Sequence, residues 1–496
     1  MRRVHPQAWI EAAALLLFVA LAAFFVVDAR RSELIPIQAE ALTAGPSSEA
    51  WMGIYFEDQK VGYAVSSQAP TVDGGLLLRN RSAFEIAAFG QLKQVVTISQ
   101  AVVSADGTLE RFEFYMDSDP VAISGQGRVE ASEIVMQLSQ AGEIQELRLP
   151  IDAPPQMSLS LSSWLQDHAD EVAVGKQFSL PYFDPITLSQ QDMVMTVSGV
   201  EVLPDGEEAY WLERKVGDMD SRVLITPAGS VIREEGAMGL ALVRQTPQEA
   251  QSMPLGAEPV NIISLSAVPL EGYLALPRTL RRLEMEVQGV GIERIAVGGV
   301  QSVVGQHVLV DVPMIEELPR DLPVREVGEE QSEYLQATVF LPIGHRDLQD
   351  KAAQIVADSE DRLAATEALN DWVHGYLIKA PTLSVPNALE VLQTGQGDCN
   401  EHTALFVALA RASGIPARIA AGVVYSDTLG DDGAFYYHAW PEVYLGPESG
   451  WIPVDPTFGQ LPADATHIKL VEGDLDKQVE IMGVMGRLGF KLVESM

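Results

Sequence analysis

Hydrophobic and polar residues alternate with a period of two over much of residues 51–245. Turn-forming runs interrupt the alternation, among them Asp106-Gly107, Pro204-Asp205-Gly206 and Pro227-Ala228-Gly229. Alternation bounded by such runs is typical of antiparallel hairpins, because successive side chains of a strand point to opposite faces. The pattern predicts an antiparallel β-rich domain over residues 51–249, an open or half-wrapped sheet packed on a few helices.

The pattern changes twice after this region. Residues 250–335 hold shorter alternating segments separated by prolines and predict a small β-rich connector. Residues 347–358 and 361–377 then show the 3.6-residue period of amphipathic helices, and strand patterns return over 417–457. Helices followed by an antiparallel sheet predict an α+β domain over residues 336–496, and α+β is the fold class that we expect for the chain.

The N-terminus is apolar enough to suggest a membrane segment. Two arginines precede residues 8–27, a stretch that at about 1.5 Å per residue just spans a hydrocarbon core. We expect a signal anchor with a transmembrane helix in residues 1–31 and a linker over residues 32–50. A single anchor favours a single-pass inner (cytoplasmic) membrane location in a bacterium, with the C-terminal domain periplasmic or extracellular. A signal peptide cleaved near Val27-Asp28-Ala29 is the alternative.

Charge and cysteine content narrow the function classes. With 69 acidic against 33 basic residues, the formal charge of -36 argues against nucleic acid as a partner. The chain of 496 residues contains one cysteine, so no internal disulfide can form. A single thiol has to be explained by packing or by chemistry.

That thiol, Cys399, lies in the octet GQGDCNEH. Asp398 and Glu401 have the spacing of a capping box, and the apolar helix pattern that follows runs to about Ser413. Cys399 is therefore expected in the first turn of a helix, where unpaired backbone N–H groups favour an anion and depress the pKa of a thiol. The N–H of Cys399 itself is a candidate oxyanion donor.

A thiolate nucleophile needs a base and a group that orients the base. In FYYHAWPEVYL, strand periodicity places His438 on the same face as Trp440 and Glu442. The following strand segment, GWIPVDPT, carries Asp455. If the intervening GPESG closes a hairpin, His438 and Asp455 are direct or diagonal cross-strand neighbours.

Three segments together resemble a known family: GQGDCNEHTALFVALARASGIPARIAAGVVY, FYYHAWPEVYL and GWIPVDPTFGQ. In order and spacing they resemble the transglutaminase-like core, a branch of the papain-like cysteine-enzyme superfamily, over about residues 345–470. The resemblance implies a papain-like α+β core with a catalytic triad of Cys399, His438 and Asp455. Such a triad transfers the acyl group of a peptide or isopeptide amide through a thioacyl intermediate. No cofactor or metal is implied, calcium included.

Asn400 departs from the pattern of the animal crosslinking members, which carry an aromatic residue directly after the nucleophile. The departure favours hydrolysis over crosslinking. The candidate oxyanion donors are the side chain of Gln396 and the backbone of Cys399.

Three more residues are expected to lie around the triad and support it. They are His402, one turn beyond the nucleophile, and Trp440 and Glu442 on the strand of the base. His402 could also tune the thiol, replace His438 as the base, or make a structural hydrogen bond.

These observations predict a membrane-anchored, envelope-facing cysteine hydrolase or acyl transferase acting on a peptide or protein substrate. Residues 51–335 could position it or contact an envelope protein partner. Two alternatives come from other classes: an inactive scaffold or binding module of the cell envelope, and a zinc site built from Cys399, His402, His438 and Asp455. A third alternative is an enzyme that joins the acyl group to an amine.

Overall fold

The structure of the protein is a computed structural model. It describes residues 48–496 except 89–90, 106, 119–120, 141, 255–258, 326–327, 383–384 and 430–432. The predicted signal anchor over residues 1–31, with its transmembrane helix over 8–27, lies outside the described residues. Within the described ranges, no helix combines the length and the apolar character needed to cross a bilayer. The single-pass inner-membrane assignment is therefore corrected, because no described element supports it.

One antiparallel sheet of fourteen strands dominates the first half of the described chain. Its strands are β1 (Ser48–Phe56), β2 (Gln59–Pro70), β3 (Leu76–Ala88), β4 (Gln91–Val103), β5 (Leu109–Asp117), β6 (Ala122–Val129), β7 (Glu133–Gln140), β8 (Glu143–Pro150), β9 (Gln177–Asp184), β10 (Ser189–Val202), β11 (Glu208–Val216), β12 (Met219–Ile225), β13 (Val231–Glu235) and β14 (Leu240–Gln245). Strands β1 to β8 and β9 to β14 are two meanders, which join where β1 pairs with β14, Trp51 opposite Gln245.

The predicted fold class was wrong for the chain as a whole. Strands exceed helices by a wide margin, and the large sheet carries only short helices, α1 (Leu161–Asp167) and α2 (Pro247–Gln251). The hairpin pattern indicated the individual strands, but it could not show that the first strand pairs with the last. This one long-range pairing joins the two meanders into a single sheet, and its fourteen strands make the chain strand-rich.

A second sheet of five strands follows the short helix α3 (Ile262–Leu265). Its strands in chain order are β15 (Leu270–Glu271), β16 (Arg282–Gln288), β17 (Gln301–Val304), β18 (His307–Asp311) and the C-terminal strand β25 (Gly489–Ser495). Strand β25 lies between β15 and β16, so it pairs with strands that come more than 180 residues earlier in the sequence. One hydrophobic cluster joins this sheet to the next one.

The C-terminal core packs helices on a four-stranded sheet of order β23-β22-β21-β24. Its helices are α4 (Arg346–Ile355), α5 (Arg362–Tyr376), α6 (Ala388–Thr394), α7 (Cys399–Ser413), α8 (Gly446–Ser449) and α9 (Leu475–Gln478). Its strands are β21 (Ala417–Ser426), β22 (Ala434–Tyr444), β23 (Trp451–Pro453) and β24 (Ile468–Glu472), and the short strands β19 (Ile378–Lys379) and β20 (Gln396–Gly397) pair with each other.

Helix α7 is the central element of this core. Its residues 401–411 are all buried, which fits an apolar sequence that is not confined to one face. Helices α4, α5 and α6 pack on it from one side, and strands β21 and β22 pack on it from the other. The first turn of α7 therefore meets the middle of β22.

Candidate active site

The first turn of α7 begins as the capping-box spacing predicts. The Asp398 carboxylate accepts the backbone N–H of Asn400 at 2.9 Å, and the Glu401 carboxylate accepts the N–H of Asp398 at 2.9 Å. Gly397 has to be small, because a Cβ there would lie 2.2 Å from the Cβ of Glu401. Cys399 follows as the first helical residue, half-buried, where backbone N–H groups have no intrahelical acceptor.

Strand β22, which carries His438, lies against the first turns of α7, which carry Cys399. The backbone N–H of Ala439 faces the Cys399 sulfur, and the Ala439 carbonyl accepts the hydroxyl of Thr403 at 3.0 Å. Thr403 lies one turn beyond Cys399 on the same helix. Both backbone groups of Ala439 are therefore held by helix α7, which carries Cys399.

His438 and Asp455 form a buried hydrogen bond. Nε2 of His438 lies 2.9 Å from Oδ2 of Asp455, and the two residues are 4% and 0% exposed. The register of β22 with β23 explains the contact: Glu442 opposes Pro453, so the same register continued places Asp455 opposite Trp440 and diagonal to His438. Because Nε2 bonds Asp455, Nδ1 is the nitrogen left to exchange a proton with a thiol.

Electrostatics favour uncharged side chains at Cys399 and His438. Burial raises the pKa of the Cys399 thiol well above its usual value, and the charge of Asp398 acts in the same direction. Burial also lowers the pKa of His438, against the opposing effect of Asp455. The depressed thiol pKa expected from the helix position is therefore reversed, because desolvation outweighs the helix N-terminus and the N–H of Ala439.

Asp455 itself stays ionised. Burial would raise its pKa, but the charges and hydrogen bonds of His438 and His467 hold that pKa well below the usual range. Its second oxygen, Oδ1, accepts the backbone N–H groups of Thr457 at 2.7 Å and Phe458 at 3.0 Å. The orienting carboxylate is thus fixed on both oxygens.

The sequence analysis missed His467. Its Nε2 lies 3.0 Å from the same Oδ2 that bonds His438, and its side chain is buried. His467 precedes strand β24, which reaches the site only by pairing with β21, a long-range contact that local patterns do not reveal. The one sequence feature that could have indicated it is the polar run Asp464, Thr466, His467 between buried alanines and isoleucine.

The predicted zinc set is not assembled. In the part of the chain that the structure describes, one group of three potential ligands has its ligand atoms within 4.8 Å of one another: His438, Asp455 and His467. Cys399 and His402 are not members. In this group the imidazole nitrogens are already bonded to a shared carboxylate oxygen, which fits a hydrogen-bonded cluster.

Of the predicted supporting residues, Trp440 and His402 lie at the site. The Trp440 ring stacks against His438 with a centroid distance of 6.1 Å and an interplanar angle of 20°. Nδ1 of His402 lies 2.6 Å from the backbone carbonyl of Asp398, and burial lowers the pKa of this imidazole. His402 therefore makes a hydrogen bond within the first turns of α7.

Glu442 and Gln396 have other surroundings. The Glu442 carboxylate is bonded to Lys469 at 2.9 Å and to Arg418 at 2.6 Å, in a buried ion network of strands β21, β22 and β24. Gln396 lines a small cavity together with Glu390 and Glu401. Its role as an oxyanion donor stays a prediction.

Comparison with known proteins assigns this geometry to a class. Residues 349–456 match the family model described as the transglutaminase-like superfamily. The chain therefore contains a transglutaminase-like domain, and Cys399, His438 and Asp455 all lie within the matched residues.

Two curated proteins share sequence with the chain. It is 28% identical over 160 residues to the uncharacterized protein YebA of Bacillus subtilis, covering 28% of this chain and 21% of YebA. It is 33% identical over 125 residues to the protein-glutamine gamma-glutamyltransferase of Pseudomonas aeruginosa, covering 24% of this chain and 18% of that protein. The chain thus spans about a fifth of the length of the curated relatives that it matches.

Among solved structures, a protein of Cytophaga hutchinsonii described as a candidate cysteine protease is similar in part. The match has a TM-score of 0.30 and 15% identity, and it covers 43% of this chain and 86% of that protein.

Proposed function

We propose that the transglutaminase-like domain transfers the acyl group of an amide in a peptide or protein substrate through a thioester on Cys399. His438 takes the thiol proton through Nδ1 as the sulfur attacks the carbonyl carbon, and then gives that proton to the departing amine. Water then attacks the thioester carbonyl as His438 takes one of its protons, and His438 returns that proton to the Cys399 sulfur as the carboxylic acid product leaves. The N–H of Cys399 would stabilise the negative oxygen of each tetrahedral intermediate.

One observation carries this proposal. His438 bonds Asp455, and the next residue of the same strand, Ala439, directs its backbone N–H at the Cys399 sulfur. Because the thiol and the imidazole are both neutral at rest, proton transfer has to accompany the attack. This is general base catalysis and does not need a preformed thiolate.

Hydrolysis is the favoured outcome of the second step. The aromatic residue that animal crosslinking members carry after the nucleophile is replaced by Asn400, whose Oδ1 accepts the hydroxyl of Tyr437 at 2.8 Å. Transfer to an amine is the second candidate, and the name of the Pseudomonas aeruginosa relative supports it. The region of residues 51–335 would position the domain or bind a protein partner, since Gln140 of β7 donates to the carbonyl of Val385, just before α6.

A small active ester tests the chemistry without knowledge of the substrate. With p-nitrophenyl acetate, we expect a burst of p-nitrophenolate and an acetyl group on Cys399, found by mass spectrometry of the intact protein. Cys399→Ala should abolish both, and His438→Ala should slow acetylation by about 100-fold or more. His307→Ala, a change of a half-exposed histidine on β18, is the matched control. Acetylation of His438→Ala at the control rate would support the inactive scaffold instead.

The acceptor is then decided with a glutamine peptide as the acyl donor. Release of ammonia without any added amine indicates hydrolysis. Incorporation of a fluorescent cadaverine that suppresses hydrolysis indicates amine transfer. Both signals must disappear in Cys399→Ala.

A further inference from the structure

The Asp455 carboxylate is shared by two imidazole rings. Oδ2 lies 2.9 Å from Nε2 of His438 and 3.0 Å from Nε2 of His467. The proposed reaction needs only the first of these bonds. His467 is 4% exposed, so its polar ring atoms are buried away from water. The triad alone does not explain why this ring is buried against Asp455.

We propose that His467 is a positioning residue for the proposed reaction: as a fixed cation it holds the Asp455 carboxylate in place and keeps His438 neutral. The role of His467 in catalysis rests on the proposed function. The charge of the His467 ring is inferred from its hydrogen bonds and does not depend on that function.

Both ring nitrogens of His467 face oxygen atoms that can only accept. Nε2 faces the ionised carboxylate of Asp455, and Nδ1 lies 2.9 Å from the backbone carbonyl oxygen of Asp464. A neutral imidazole has one N–H, so it can satisfy only one of these bonds, whereas an imidazolium satisfies both. The geometry therefore requires His467 to carry two protons.

The electrostatics agree with this assignment. Burial opposes the charge, but Asp464, 3.6 Å away at Oδ1, and the hydrogen bond to Asp455 raise the pKa of His467 to about 9. His438 has the opposite assignment. Its Nε2 donates to Asp455, while its Nδ1 is the nitrogen that must be free of a proton in a base.

Arg278 lies at the outer end of the cluster that Asp464, His467, Asp455 and His438 form. It donates to Oδ2 of Asp464 at 2.8 Å, and its guanidinium lies 4.6 Å from the centre of the Phe458 ring. Phe458 in turn stacks on His438 at 5.1 Å, with an interplanar angle of 9°. Arg278 thus supports His467 through Asp464 and His438 through Phe458, although it lies far away in sequence, before strand β16.

Charges alternate along the cluster. From the surface inward they are the Arg278 cation, the Asp464 anion, the His467 cation and the Asp455 anion, and then neutral His438. The other titratable groups around the pair are Cys399 and His402, both favoured in their neutral forms by burial. In this setting burial lowers the pKa of His438, Asp455 raises it, and His467 and Arg278 lower it further.

Removal of the His467 charge should therefore raise the pKa of His438. The base would then be protonated, and inactive, over a wider range of acidic pH. His467→Asn keeps a donor without a charge, and His467→Phe removes both. A role in hydrogen bonding alone would leave His467→Asn similar to the wild type.

The first test uses nuclear magnetic resonance of the full chain with ¹⁵N-labelled histidine near neutral pH. We expect one imidazolium that is lost in His467→Asn and one neutral ring, with its proton on Nε2, that is lost in His438→Ala. The measurement is repeated in Cys399→Ala, which has no reactive thiol, so it decides the charge of His467 even if the proposed function fails. A neutral His467 ring would overturn the inference.

The second test follows acylation of Cys399 by p-nitrophenyl acetate against pH. In His467→Asn we expect the acidic limb of the rate profile to move upward by about one pH unit. The plateau rate should change less, and His307→Asn should leave the limb in place. An unmoved limb in folded His467→Asn overturns the inference.

If His467→Asn does not fold, Arg278→Gln takes its place. Because Arg278 is partly exposed and acts through Asp464, Arg278→Gln should move the acidic limb of the rate profile in the same direction as His467→Asn, but by less. A shift in the opposite direction, or none, counts against the inference. Absence of acylation in the wild type would count against the proposed function, while the resonance measurement would still decide the charge.

Discussion

Thr403 donates its hydroxyl to the backbone carbonyl of Ala439 at 3.0 Å, and this bond joins helix α7, which carries Cys399, to strand β22, which carries His438. Both residues are about 1% exposed, so the bond is shielded from water. Cys399 lies one turn before Thr403, and His438 directly precedes Ala439. The Thr403–Ala439 bond therefore holds the first turns of α7, which carry Cys399, against the part of β22 that carries His438.

Thr403→Val should weaken this tie. Valine keeps the shape but leaves the Ala439 carbonyl without the hydroxyl, which should cost about 1–3 kcal/mol of unfolding free energy. Acylation of Cys399 should slow by more than the loss of folded protein explains. Thr366→Val is the matched control, since that buried hydroxyl bonds Arg362 within its own helix. Equal effects of the two variants on acylation would contradict the prediction.

Loss of the Asp398 cap of helix α7 should lower the free energy of unfolding and slow acylation of Cys399. Asp398→Ala removes the acceptor for the N–H of Asn400, and we expect a loss of about 1 kcal/mol of unfolding free energy. Asp398→Asn should lose much less, because asparagine also caps helices. Asp361→Ala removes the corresponding cap of α5, so it should cost similar stability without slowing acylation of Cys399. Urea unfolding and burst kinetics measure the two effects.

Local patterns were sufficient to predict the elements that hold Cys399, His438 and Asp455. Capping residues and apolar periodicity act within a few residues, and the hairpin-like connection of β22 to β23 is also local. His467 and Arg278 could not be found this way. His467 bonds Asp455 and Arg278 bonds Asp464 through pairings between distant segments, which single-sequence periodicity does not encode.

The fold class failed for the same physical reason. Alternation predicts that a segment is a strand, but two meanders become one sheet only through the pairing of β1 with β14. The shift of the Cys399 thiol pKa was predicted in the wrong direction. The sequence indicates the helix position that lowers this pKa, but the burial that raises it depends on tertiary packing.

The raised thiol pKa can be measured without ambiguity, since Cys399 is the only cysteine of the chain. The rate of alkylation by iodoacetamide should keep rising above about pH 8.5 in the folded protein, because burial and Asp398 disfavour the thiolate. In urea the pKa of the same thiol should be about 8.5. A folded-state midpoint below that of the unfolded chain would contradict the prediction and indicate a preformed ion pair.

Lys469 should be a sensitive position of the buried ion network. Its ammonium group bonds both oxygens of Glu442, at 2.9 and 3.0 Å, and its side chain is 2% exposed. Lys469→Met leaves Glu442 with Arg418 alone and should cost about 3 kcal/mol of unfolding free energy. Lys477→Met, which alters an exposed pair with Glu480, should cost less than about 1 kcal/mol. Thermal or urea unfolding compares the two.

The protonated state of His467 also makes stability depend on pH. The pKa of this base is raised in the folded protein to about 9, above the value of about 6.5 expected when unfolded. The folded state therefore binds the proton more tightly. The stabilisation is complete below about pH 6.5 and is lost as pH rises through about 9, by about 3 kcal/mol in total.

Urea unfolding across that interval measures this loss, in a Cys399→Ala background. The background is needed because the raised thiol pKa of Cys399 would also remove stability at alkaline pH. In the double variant with His467→Asn, the slope between about pH 6.5 and about 9 should largely disappear, and with His307→Asn it should remain. If the His467→Asn double variant keeps the full slope, the proton is bound elsewhere. Asp455 would then be held by hydrogen bonds without a buried cation.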